Sequence, residues 1–241
     1  MSAFLSLKKI SSNKPPTCSA VIVAAGLSSR CKGEDKLFHL INDKPVLAYT
    51  IEAFENSALI NEIIIVTRED KFEQIGALCK RGGYHKTTKI MGGGLTRADS
   101  VVNGIFAVSN KAKLIAIHDG ARPCIDTKLI DNTILAAAKF QAAAPAVKIS
   151  PTIKRVQGGV ITETVDRESL YEIQTPQIFR AEIIKAALTN AVKKSIPVTD
   201  DCQAAEIIGA LVHIVEGSHN NIKITNPEDL AFAKAILSKP K

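Results

Sequence analysis

Three apolar runs in the first half of the chain constrain its fold more than any other feature. Val21–Ala25 (VIVAA) ends at Gly26, Glu62–Thr67 (EIIIVT) leads into charged residues, and Lys113–Gly120 (KLIAIHDG) ends at another glycine. Little polar residue interrupts them, so each suits a strand covered on both faces, as in a parallel sheet. The stretches between them have helical spacing. Pro45 precedes Val46, Leu47, Thr50, Ile51 and Phe54 at three- and four-residue steps, with proline at a helix start. KFEQIGALCKRGG closes on a glycine pair suited to a C-cap, and TRADSVVNGIFAVS follows Thr96, an N-cap residue type. Thr87–Met91 (TTKIM) adds a short strand before three glycines. The expected class is α/β: a mostly parallel sheet with helices on both faces. Ligands of such sheets sit outside the carboxyl ends of the strands, so the residues after each strand carry the functional question.

After Ala146 the alternation stops. VKISPTIKRVQGGVITETVDRESL has strand-like runs around Gly158–Gly159, which reads as a β-hairpin projecting from the sheet. RAEIIKAALTNAV and TDDCQAAEIIGA read as helices, the second capped by Thr199 or Asp200. LVHIVEG and NNIKIT read as strands, and NPEDLAFAKAILS as a closing helix with Pro227 near its start. There is no internal repeat. The expected organisation is an N-terminal tail over residues 1–17 and a single domain over 18–241, with a β-arm at about 150–170.

Composition excludes several classes. The chain is 46% hydrophobic with 5% aromatics and no Trp, so its core is aliphatic. The net charge of +7 raises nucleic acid as a partner, but the lysines are spread along the chain and rings for base stacking are scarce. A pocket for phosphorylated small molecules accounts for the same excess. No apolar stretch approaches the ~20 residues of a membrane span. The N-terminus is rich in Ser and Lys without acids, a composition shared with organelle transit peptides; a frayed tail is the preferred reading. Five widely spaced cysteines (Cys18, Cys31, Cys79, Cys124 and Cys202) form no CxxC. They read as buried, inert thiols in a reducing, cytoplasmic setting.

The strand ends hold the chemistry. AAGLSSRCKGEDK has one glycine, Gly26, where the backbone can approach a ligand, followed by Arg30, Lys32 and Lys36. It is neither a Walker A loop nor GxGxxG. From these residues alone, a phosphate cradle and a tight turn with solvated cations are equally good readings. In GGGLTRADSV, glycines permit close approach, and Arg97 and Ser100 add donors at the same sheet edge. In HDGARP, Asp119 ends an apolar strand, a usual place for a divalent ion that bridges phosphates. Arg122 follows within a turn, and an Asp–Arg turn pair is the plain alternative. His118 reads as a structural strand residue. Lys223 lies between Ile222 and Ile224 and either snorkels or faces an anion. No GxSxG, HExxH or Cys/His pairing is present. Cations, glycines and one acid suit phosphoryl or nucleotidyl transfer, in which positioning and charge stabilisation do most of the work.

AAGLSSR with Lys36 beyond it, GG.TRADSV, HDGARP, TVDRESL, TPQ.F and VEG…NIKIT.PEDL, in this order, resemble the 2-C-methyl-D-erythritol 4-phosphate cytidylyltransferase family. The match runs from about residue 19 to the C-terminus. The resemblance implies a Rossmann-like sheet, a β-arm that swaps across a homodimer, and transfer of CMP from CTP to the polyol phosphate with Mg2+ on the triphosphate. It implies that Arg30, Lys36 and Lys223 stabilise the reacting phosphate and the leaving pyrophosphate. Ala24, Ala25, Gly26, Gly94 and Ser100 would line the cytidine pocket, and Asp119 would contact metal and substrates. Arg122, Thr152, Thr175 and Thr199 would hold the polyol phosphate, and Arg167 would reach the neighbouring subunit's substrate phosphate. The chain departs from the family where Asp35 replaces the proline usual before the loop lysine, where the Arg30–Lys36 gap is one residue short, and at Leu95. Some members are fused to a cyclodiphosphate synthase; the end soon after PEDLAFAKAILS fits the single-activity form, or else one half of a split one. A cytidylyltransferase for another polyol phosphate, such as ribitol 5-phosphate, is the nearest alternative. A silent nucleotide-binding protein on the same fold is a further one.

Overall fold

The computed structural model describes residues 16–26 and 35–238. Most of the expected tail, residues 1–15, and Arg30, Cys31 and Lys32 lie outside the described residues. Thr17 is tied to the sheet: its carbonyl accepts the N–H groups of Lys113 and Leu114 at 2.9 and 3.0 Å.

In chain order the elements are β1 (Cys18–Ala24), β2 (Leu40–Ile41), β3 (Lys44–Pro45), α1 (Val46–Glu55), β4 (Ile60–Thr67), α2 (Phe72–Gly82), β5 (Thr87–Gly92), α3 (Arg97–Ala107) and β6 (Leu114–Asp119). They continue with α4 (Thr127–Phe140), β7 (Ala142–Lys148), β8 (Ile153–Gln157), β9 (Val160–Val165), β10 (Tyr171–Ile173), β11 (Gln177–Arg180), α5 (Ala181–Lys193), α6 (Asp201–Ile207), β12 (His213–Glu216) and α7 (Glu228–Leu237). The main sheet has the order β10-β7-β11-β6-β1-β4-β5, with β12 parallel to β7. β6, β1, β4 and β5 are mutually parallel neighbours. β11 is antiparallel to both β6 and β7, and β10 is antiparallel to β7.

Successive strand side chains point to opposite faces, and the core divides accordingly. Ala20 and Ile22 of β1, Ile63 and Ile65 of β4, and Leu114 and Ala116 of β6 pack with α1, α2, α4 and α7. Val21, Ile64, Val66, Ile115 and Ile117 pack with α3, α5 and α6. Each fully buried Ile or Val contributes about 1.5–3 kcal/mol, and the three isoleucines Ile63–Ile65 have no exposed surface. This explains why the strands read as continuous apolar runs.

The expected caps are present. Gly83 ends α2 in the left-handed region at φ 64°. Thr96 opens α3 through a reciprocal capping box with Asp99. At α6 the side-chain cap is Asp200, which accepts the Gln203 N–H.

Other features differ from the sequence reading. NNIKIT is not a strand. Its backbone N–H groups are taken outside any ladder: Asn221 N–H bonds Ser218 O, Ile224 N–H bonds Ala121 O in the loop after β6, and Thr225 N–H bonds the Asp229 carboxylate. No ladder remains for this apolar segment to join. α4, β10 and β11 were not read from the sequence. α4 had a legible start, since Asp126 caps it by accepting the Lys128 N–H. Val147 and Lys148 belong to β7 of the main sheet, so the hairpin proper is β8–β9, turning at Gly158 and Gly159 with φ 58° and 81°. It pairs only with itself and is largely exposed. The thiols are partly as expected: Cys18 and Cys202 are buried, but Cys79 and Cys124 are half-buried. Burial raises all four, with Cys124 pushed up to about 12, which leaves them protonated and unreactive.

Candidate functional site

β1 lies between β4 and β6. The chain winds outward through β4 and β5, then crosses back over β1 to β6. Where the winding reverses, the loops after β1 and β6 leave in opposite directions and a crevice opens. The cleft found there is about 600 Å³ and is lined by Val23–Gly26, Lys36, Gly94–Arg97, Asp119 and Lys223. Thus Ala24, Ala25, Gly26, Lys36, Gly94, Asp119 and Lys223, chosen from sequence, meet at one place.

The glycine wall is built by α3. Gly94 must lack a side chain: a Cβ there would sit 2.2 Å from Asp99 Cβ and 3.1–3.2 Å from its backbone. Ser100 does not line the cleft. It is buried, its Oγ accepts the Gly94 N–H at 3.0 Å, and its hydroxyl donates to Thr96 O. Its part is to hold the glycine loop. Leu95 stands fully exposed on the rim.

Asp119 is the centre of charge. Lys223 Nζ lies 2.8 Å from Oδ2, Arg97 Nε 3.3 Å from Oδ1, and Arg122 Nε 3.9 Å from Oδ2. Burial alone would raise its pKa, but Arg97, Lys223 and Arg122 together hold it well below the usual carboxylate range. Arg97 is itself held by the buried Asp201 through two hydrogen bonds of 3.2 and 2.8 Å. On the backbone side, Asp119 N–H donates to Thr175 Oγ1 at 3.2 Å. That leaves the Thr175 proton for His118 Nδ1, 3.0 Å away. Burial holds His118 down at about 3, so it is the neutral acceptor this arrangement requires. Arg122 is buried behind the carboxylate and donates to Asn221 O at 2.6 Å.

The lysines come from distant parts of the chain. Lys36 follows the turn at Asp35, and its ammonium donates to Ile224 O at 2.7 Å. Lys223 and Ile224 are adjacent, so the two lysines share one corner of the cleft.

Several expected residues lie elsewhere. Thr175 and Arg122 sit behind Asp119 and do not line the cleft. Thr199 bonds the Gln203 side chain and lines a separate hollow of about 380 Å³. Thr152 and Arg167 flank the exposed hairpin, and the Arg167 guanidinium bonds Ser150 O. Arg30 lies outside the described residues. Arg68 was missed, although it directly follows the β4 run and the rule of inspecting strand ends would have found it. Arg97 was noted as a donor without an assignment, because its partner Asp201 is 104 residues away.

The acids of the cleft bear on a divalent ion. Asp119 is the one carboxylate lining the cleft among the described residues, and no cluster of three or more ligating side chains exists among them.

The profile of the family described as IspD, 2-C-methyl-D-erythritol 4-phosphate cytidylyltransferase, matches residues 18–239. A protein of that name from Halalkalibacterium halodurans is 42% identical over 222 residues, covering 92% of this chain and 97% of the relative. One from Clostridium acetobutylicum is 43% identical over 223 residues, covering 91% and 97%. The crystal structure of 4-diphosphocytidyl-2C-methyl-D-erythritol synthase from Anaerococcus prevotii superposes with a TM-score of 0.83 at 31% identity, covering 93% of this chain and 97% of that one.

Proposed function

The chain belongs to the 2-C-methyl-D-erythritol 4-phosphate cytidylyltransferase family, and we infer that its cleft transfers CMP from CTP to 2-C-methyl-D-erythritol 4-phosphate, releasing pyrophosphate. One observation carries the reading: Lys36 and Lys223, far apart in sequence, converge on the cleft whose other walls are the Gly26 and Gly94 backbone. Small residues there let a nucleoside come close to main-chain donors and acceptors. The nucleophile is a phosphate oxygen already ionised at neutral pH, so no side chain must remove a proton. That agrees with a site built from cations and glycines. Lys36, Lys223 and Arg30 neutralise charge as the α-phosphate is attacked and pyrophosphate departs.

Mg2+ fits this site through Asp119, since magnesium is commonly held by one or two carboxylates together with substrate phosphates. When bound it offsets triphosphate charge. The strongly acidic Asp119 stays ionised to hold it, and Arg97, fixed by Asp201, keeps that carboxylate in place.

Thr152 and Thr199 offer hydroxyls to the polyol phosphate, Arg122 and Thr175 support that site from behind Asp119, and Arg167 is supplied by the arm of a second copy in a homodimer. The exposure of Val156, Val160 and Ile161 on the hairpin (56%, 66% and 62%) supports such a partner, because apolar side chains grouped on a projecting arm gain by being covered. Thr175 acts through Asp119 and His118 in the described state. A cytoplasmic setting suits the four protonated, unpaired thiols among the described residues; no helix among these residues is long and apolar enough to cross a membrane.

Lys223→Ala tests the assignment. The expected result is a fall of about 100- to 1,000-fold in kcat, the cost of removing a donor to transition-state charge, with the melting temperature little changed. A parent-like kcat would contradict it.

A further inference from the structure

Arg68 is the cation of the cleft to which the reaction assigns no work. It follows Thr67, whose partner in the parallel register is Ala24, so its side chain starts beside the exit of β1. From there the guanidinium spreads to three acceptors. NH1 donates to Gly26 O at 3.3 Å, NH2 to Asp35 Oδ2 at 3.0 Å, and Nε to Asp70 Oδ1 at 3.1 Å. Gly26 and Asp35 are the two residues that bound segment 27–34, and one planar group touches both. A fork of this kind fixes direction as well as distance.

The other oxygen of Asp35 is also engaged. Oδ1 accepts the Leu37 N–H at 3.2 Å, and the Asp35 carbonyl accepts the Phe38 N–H at 2.9 Å. Asp35 thus closes the turn that carries Lys36, and Leu37 then docks: its carbonyl accepts the Leu47 N–H at 2.9 Å and its side chain is buried. The Asp35 carboxylate is partly buried, with 16% of the side chain exposed, and that of Arg68 is 25% exposed. The pair is more shielded than an ordinary surface ion pair, which is worth little. Asp70 takes the remaining Nε–H.

We propose that Arg68 and Asp35 form a clamp that positions Lys36, by tying the end of β1 at Gly26 to the turn from which the lysine projects. Arg68 acts through Asp35 and is a positioning residue. An aspartate before Lys36 is then a working part of this chain, paired to an arginine that reaches it across the mouth of the cleft. The proposal rests on the reading that Lys36 meets the triphosphate.

Pyrophosphate release from CTP and methylerythritol phosphate, measured on the full chain, tests it with Arg68→Gln, Asp35→Asn, the double variant, the exchanged pair Asp35→Arg/Arg68→Asp, and Lys36→Ala. Arg68→Gln and Asp35→Asn are each expected to lower kcat/KM for CTP by about ten- to a hundredfold, the cost of a misplaced cation. KM for methylerythritol phosphate and the melting temperature should stay near the parent values. The double variant should be no slower than the slower single one, since both remove the same contact, and the exchanged pair should regain part of the loss. Multiplying single effects, or a loss from Arg68→Gln with none from Asp35→Asn, would overturn the clamp and put Arg68 itself on the phosphates. Lys36→Ala separates the two levels. If it is slow while both clamp variants run at the parent rate, the clamp alone fails; if it runs at the parent rate, the reading of Lys36 fails and the clamp with it.

Discussion

Lys223 reaches Asp119 from a coil that no strand ladder holds. The anchor is Asp229, in the first turn of α7, whose Oδ2 accepts Thr225 N–H at 2.7 Å, Thr225 Oγ1–H at 2.8 Å and Asn226 N–H at 2.9 Å. Burial would raise this carboxyl, but the hydrogen bonds from Asn226 and Thr225 hold it below its ordinary value. A carboxyl lowered in the folded state adds stability that is complete above its unfolded value, near pH 4, and is lost as pH falls through the folded value. Asp229→Ala is therefore expected to cost about 1 kcal/mol at neutral pH. Denaturant titrations of parent and variant should converge as pH falls through the lowered folded value and the parent carboxyl is protonated too. A gap that stays constant from neutral pH into acid would contradict the assignment. The same scale shows what sequence could reveal about the site. Asp119 and Gly26 stand directly at the ends of apolar runs, and Lys36 follows in the loop that leaves the first of them. Ser100, Thr175 and Arg122 were legible as polar groups beside strand ends; that each has its polar atoms turned toward other protein groups depends on three-dimensional neighbours. Arg97 and Asp201 are legible only as a pair that the fold creates.

At the scale of elements, the hairpin β8–β9 is the part least explained by the chain that carries it. It makes ladder contacts only with itself, carries three exposed aliphatic side chains, and is flanked by Thr152 and Arg167. If Arg167 serves the neighbouring subunit's site, two inactive variants should rescue each other. Lys36→Ala and Arg167→Ala homodimers, mixed and allowed to exchange subunits, would form heterodimers in which one of two sites has both residues intact. Activity should rise well above the mean of the separate variants. No rise, with exchange verified by mass, would mean that Arg167 acts within its own subunit or not at all. Elements were legible where one physical signal dominated. Continuous β-branched runs marked β1, β4 and β6, and Thr96, an N-cap residue type, marked α3. NNIKIT alternates Ile222 and Ile224 with polar residues as an edge strand could, yet it pairs with no strand because Ser218, Ala121 and Asp229 take its N–H groups. α4 was passed over although its spacing is regular. β11 carries only four residues and sits antiparallel between two parallel strands, an arrangement that alternation rules do not foresee.

Over the whole molecule, charge and topology point the same way. The net charge is +7, and the cations that matter gather where the winding of the sheet reverses. Among the described residues, Lys36, Arg68, Arg97 and Lys223 line the cleft against one carboxylate, Asp119. Parallel strands covered on both faces were legible because burial on both sides leaves no room for polar alternation. The convergence of residues near 25, 36, 95, 119 and 223 on one crevice follows from strand order, and strand order is a long-range property. The most direct test is product analysis after incubating the chain with CTP, Mg2+ and either 2-C-methyl-D-erythritol 4-phosphate or ribitol 5-phosphate. The expected products are CDP-methylerythritol and pyrophosphate in equal amounts, with kcat/KM for methylerythritol phosphate at least about 100-fold above that for ribitol phosphate, within the range that hydrogen-bonded discrimination reaches. Preferential turnover of ribitol phosphate, or pyrophosphate release no faster than without enzyme, would contradict it.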